Sequence, residues 1–180
     1  MSSELGGLVN PPSVLVAGVG NIFLSDDGFG VEVARRLAGV DLGPDVKVAD
    51  FGIRGVHLAY ELLDGYDFVI LVDASPRGGE PGTLYVIEPE EPEAPDPDEV
   101  PPLDAHGMDP GAVLALLGVL GGKVDRLLVV GCEPAVADEG MGLSPAVEAA
   151  VDPAVALVQD LINEHRVPSL GGHKQGGMTT

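Results

Sequence analysis

Apolar positions in this chain fall into short unbroken runs separated by longer amphipathic stretches. Residues 14–17 are small and branched apolar side chains, the composition of a strand buried on both faces. Val31, Val33, Ala34 and Leu37 recur at helical spacing and predict one face of a first helix. Residues 46–50 read as a short second strand, and residues 56–63 as a helix with Leu58, Leu62 and Leu63 on one side. DFVILVD, residues 67–73, is the strongest strand pattern in the chain. A fourth strand, 83–87, follows after a short Pro/Gly turn and is therefore expected to run antiparallel to its predecessor, since a parallel partner needs a longer crossover. Asp109-Pro110 predicts the start of a third helix reaching Leu120, which Gly121-Gly122 ends. Residues 127–131 are a last buried strand, and Ser144-Pro145 opens a final helix through Ile162.

This alternation predicts a three-layer α/β/α domain around a twisted, mostly parallel five-stranded sheet with one antiparallel strand. The 180 residues are expected to form a single domain with its core at about 13–167. Residues 1–12 and 168–180 are expected to be loose termini. Residues 88–102 hold seven acids and six prolines and are expected to be an exposed acidic loop.

Composition narrows the picture. Aromatic residues make up 4% of the chain and Trp is absent, so the core must be built from Val, Leu, Ile and Ala. No apolar run approaches the ~20 residues of a membrane span, and the N-terminus lacks the pattern of a secretory signal. A lone cysteine, Cys132, fits a reducing, cytoplasmic setting and a monomer is expected. With 29 acids against 9 bases the formal net charge is −20, which argues against nucleic acid and anionic membranes as partners. It favours a basic protein partner or a metal cation, and serves solubility equally well.

Candidate chemistry concentrates in residues 14–30, VLVAGVGNIFLSDDGFG. Gly18-Val19-Gly20 begins like a dinucleotide-binding turn, but Phe23 holds the third glycine position. Two carboxylates, Asp26 and Asp27, would also repel a pyrophosphate at the helix start, so nucleotide binding is rejected. Open α/β sheets place their sites beyond the carboxyl ends of the strands, where strand order reverses. Asp27 after the first strand, Asp73 ending the third, and His106 before the third helix fall at such positions. If the first and third strands are neighbours, the three form an open site for a borderline divalent metal.

Plainer readings stand beside this one. Asp26 or Asp27 can cap the helix, with Asp26 the better placed; Asp73 can initiate the turn before Ser75-Pro76; His106 can be a surface residue. His57 is expected on a helix flank, and His165 and His173 in solvent. No G-x-S-x-G elbow is present; Ser75 and Ser144 read as turn and cap residues, and Cys132 as buried filler rather than a nucleophile.

Several motifs occur in order along about 14–167: G-x-G-N and D-D-G-x-G within 18–30, Asp50-Phe51-Gly52-Ile53-Arg54-Gly55, and Asp73-Ala74 ending an apolar strand. Pro81-Gly82-Thr83, His106, Gly131-Cys132-Glu133-Pro134 and Gly142-Leu143-Ser144-Pro145-Ala146-Val147 complete them. Together they resemble the endopeptidases that mature nickel–iron hydrogenases, with Phe51 standing where that family has a glycine. The resemblance implies removal of a C-terminal extension from a hydrogenase large-subunit precursor by an aspartic-type peptidase. It implies a metal site of Asp27, Asp73 and His106, with Asp27 and Asp73 catalytic, and nickel supplied by the precursor. Asp26 remains an alternative to Asp27. So does a second function, a non-catalytic nickel-sensing checkpoint or chaperone, and a third, a metal-dependent hydrolase of small molecules.

Overall fold

The computed structural model describes residues 13–90 and 110–167. Five strands, β1 (Val14–Val19), β2 (Val46–Gly52), β3 (Phe68–Ala74), β4 (Leu84–Ile87) and β5 (Arg126–Cys132), form one sheet in the order β2-β1-β3-β5-β4. Four helices, α1 (Phe29–Ala38), α2 (Gly55–Leu62), α3 (Pro110–Val119) and α4 (Pro145–Arg166), cover it. All pairings are parallel except that of β4 with β5.

Strand β1 is buried along its whole length, and the pleat sends its side chains alternately to two cores. Val14 and Val16 join Phe68 and Ile70 beneath α1 and α4, where Phe29, Val33, Leu37, Val151 and Val158 pack. Leu15 and Ala17 join Val69 and Leu71 beneath α2 and α3, against Leu58, Leu62, Val113 and Leu117. Each fully buried side chain of this size contributes about 1.5–3 kcal/mol by leaving water. The expected three layers and five strands are therefore present.

Three local expectations are corrected. Strand β4 is antiparallel, but to β5 and not to β3, which it follows in sequence. The connecting loop crosses the end of β5, where Ser75 N–H donates to Cys132 O, Glu133 N–H to Thr83 O, and Gly82 N–H to Glu133 O. Strand β2 runs on through Phe51 and Gly52, which had read as loop, because Phe51 turns into the α2–α3 core. Gly18, which opens a Gly-x-Gly that reads as a turn leaving the strand, is instead the fifth residue of β1, and a Cβ there would lie 2.3 Å from Gly30 O and 2.6 Å from the Ala34 Cβ. It lets α1 lie directly on the strand.

Candidate active site

The chain passes from β1 through α1 to β2 on one side, then returns through α2 to β3 on the other. Strand order thus reverses between β1 and β3, which opens a crevice beyond their carboxyl ends. Gly20 leaves β1 with φ of +135°, and its N–H donates to Gly52 O, binding the start of the loop to the end of β2. A 3-10 turn at Ser25–Gly28 then carries Asp26 and Asp27 back over the end of β3.

Asp27 and Asp73 meet at this crevice. A Cβ on Gly20 would lie 1.9 Å from the backbone carbonyl oxygen of Asp27 and 3.6 Å from Asp73 Oδ1, so only a glycine lets the loop backbone come this close to Asp73. Asn21 N–H donates to Asp27 Oδ2 at 2.8 Å, which holds that carboxylate and leaves its other oxygen uncommitted to this bond. Asp73 keeps a minor part of its surface exposed, and its carboxyl is surrounded by protein on most sides. Burial first, and the charge of Asp27 second, push it up to about 8 against a single opposing backbone bond at Ala74. A carboxyl held protonated beside a charged one can pass a proton, or exchange it for a cation.

Asp26 does something different. It is fully buried, and its oxygens accept from Ser144 N–H at 2.7 Å, Ala135 N–H at 2.8 Å, Val136 N–H at 2.9 Å and Ser144 Oγ at 2.9 Å. Burial pushes its carboxyl up, but the bonds from Ser144, Val136 and Ala135 outweigh that and hold it below the usual range. The sequence offered it as the cap of the following helix, but it makes no cap bond there; it ties the β1–α1 loop to the loop before α4.

His106 and most of the acidic stretch 88–102 lie outside the described residues, as does His173. Among the described residues no three His, Cys, Asp or Glu side chains form a metal-binding group. Cys132 is fully buried, and burial, with the charges of Asp26 and Glu133, pushes its thiol up to about 11, which suits filler and not a nucleophile. His57 is exposed on α2, whereas His165 departs from its expected solvent exposure and stacks on Phe68 at 4.6 Å.

One residue without an assigned role emerges. Glu133, buried at the end of β5, accepts from Arg77 N–H at 2.8 Å, Gly78 N–H at 3.2 Å and Tyr85 O–H at 3.0 Å. The Arg77 bond first, against burial, keeps its carboxyl below the usual range. It shapes the loop after Asp73; a glutamate beside Cys132 and Pro134 gave no periodic signal that would have marked it.

Among the described residues, the switch point of this α/β domain carries an acid pair, and Cys132 is buried. The model of the hydrogenase maturation protease family matches residues 31–161. The hydrogenase 2 maturation protease of Escherichia coli K12 is 31% identical over 159 residues, which span 87% of this chain and 94% of that one. A putative hydrogenase maturation protease of Methanocaldococcus jannaschii is 34% identical over 151 residues, 81% of this chain and 93% of that one. Among solved structures, the hydrogenase maturating endopeptidase HybD from E. coli superposes with a TM-score of 0.66 at 30% identity, covering 85% of this chain and 93% of its own. The chain belongs to the hydrogenase maturation protease family. It is a protease of hydrogenase maturation.

Proposed function

We propose that this chain removes the C-terminal extension of a nickel–iron hydrogenase large-subunit precursor after nickel has been inserted, with Asp27 and Asp73 as the reacting carboxylates. The supporting observation is the raised carboxyl of Asp73 beside the charge of Asp27 at the switch-point crevice. In the free enzyme one acid carries a proton and its neighbour a charge; a substrate nickel held by the pair would displace that proton, leaving a carboxylate to take a proton from the attacking water and return it to the leaving amine. Proton transfer by a carboxylate is the chemistry of an aspartic-type peptidase. Nickel belongs to the substrate in this reading. Two carboxylates alone suit harder ions; the imidazole of His106, the third donor that the family resemblance supplies, is what makes the set fit a borderline ion such as nickel.

Incubating the purified protein with nickel-loaded and with metal-free precursor tests the reading. Loss of the tail in the loaded sample alone is the expected result. Binding of the loaded precursor without cleavage would instead make the protein a checkpoint, and equal cleavage of both samples would remove nickel from recognition.

A further inference from the structure

Resting on that reading, we infer that Phe23 and Met141 form an apolar docking platform beside the acid pair for the precursor segment next to the bond to be cut. Four phenylalanines occur in the chain; Phe29, Phe51 and Phe68 are buried, while Phe23 is 61% exposed. Met141 is 74% exposed. Single exposed apolar side chains are ordinary, and Tyr60 on α2 is exposed to a similar degree; Phe23 differs in standing on a hydrogen-bonded loop that also holds Asp27.

Phe23 is held in that way. Asn21 Oδ1 accepts from Phe23 N–H at 2.9 Å while Asn21 N–H donates to Asp27, so one residue fixes both the carboxylate and the backbone from which the aromatic ring projects. On the other side Phe23 O accepts from Gly140 N–H, Leu24 bridges Gly140 in parallel register, and Ser25 N–H donates to Gly140 O. Ser25 adopts φ of +53°, the only positive value at a non-glycine position among the described residues. Asp26 pins the far side of the same loop through Ala135, Val136 and Ser144. Strained backbone kept in place by bonds on both flanks is what a preorganised surface requires.

The occupant follows from continuity and charge. The platform adjoins Asp27, and the 135–144 loop that carries Met141 also exposes Asp138 and Glu139, on a chain of net charge −20. It therefore fits a segment of the precursor that presents an apolar side chain flanked by basic ones. The flexible Met supplies adaptable contact and the Phe a rigid one.

Steady-state cleavage of the source organism's nickel-loaded precursor by wild type, Phe23→Ser, Met141→Ser and Phe23→Leu tests this, together with precursor titration onto Asp73→Asn and Asp73→Asn/Phe23→Ser. The expected result is a rise of about tenfold in KM and Kd for Phe23→Ser and a smaller one for Met141→Ser, with kcat held. Phe23→Leu should keep most of the affinity, added salt should raise KM, and Tm should stay constant because the side chains are exposed. Unchanged KM and Kd in both serine variants, or a fall in kcat alone, overturns the platform. Undiminished cleavage by Asp73→Asn overturns the acid-pair reading, whatever the platform variants do.

Discussion

Two aspartates at one end of the sheet have opposite surroundings. Asp26 is sealed from solvent and its oxygens accept four hydrogen bonds, so its charge is fully compensated within the chain. Asp73 opens to the crevice, has one backbone bond to lower its pKa, and faces the charge of Asp27. A carboxylate that satisfies its lone pairs internally holds loops together. One left under-compensated next to a like charge keeps its chemistry for something that arrives, a proton, a cation or a substrate.

The contrast can be broken by removing the carboxyl group at each position. Asp73→Asn removes the proton-carrying group and should lower the cleavage rate by about a thousandfold, read as precursor processed per unit time, with precursor still bound. Asp26→Ala leaves the N–H groups of Ala135, Val136 and Ser144 without their acceptor and should cost about 3 kcal/mol, a fall in Tm of about 10 °C by calorimetry.

Stability against pH sharpens it further. Asp73 sits at about 8 in the fold against 3.8 for a free aspartate, so the folded chain holds an extra proton between those values. Its contribution is complete below about pH 4 and is lost as pH rises through about 8, so Tm should decline across that window. Asp73→Asn should flatten that decline, whereas Asp26, held below the usual range, contributes stability that is lost only in acid. The smallest effect is expected far from both acids. Arg36 pairs with Glu148 and Asp152 at 2.6 Å and links α1 to α4 in partial exposure, so Arg36→Ala should cost under about 1 kcal/mol and nothing measurable at high salt.

The layers were legible because β1 and β3 are apolar on both faces and α1 is amphipathic, patterns that depend only on near neighbours in sequence. Placement of β4 was not, because loop length predicts a hairpin only until another strand takes the intervening slot, and β5 lies some forty residues further on. The approach of Asp27 to Asp73 was legible from strand order, with Asp27 after β1 and Asp73 the penultimate residue of β3. The division of labour between Asp26 and Asp27 was not: Asp26 finds its partners at Ala135, Val136 and Ser144, and local spacing carries no trace of them. Glu133 stayed hidden for the same reason, since its donors lie on a loop and a strand distant in sequence.

The pairing of Asp27 with Asp73 is tested most directly by following aspartate carboxyl carbons by NMR as pH is raised, in wild type and in Asp27→Asn. Asp73 should titrate at about 8 and move downward once the neighbouring charge is removed. A carboxyl at position 73 that titrates in the ordinary aspartate range, and that ignores the change at position 27, would contradict the account.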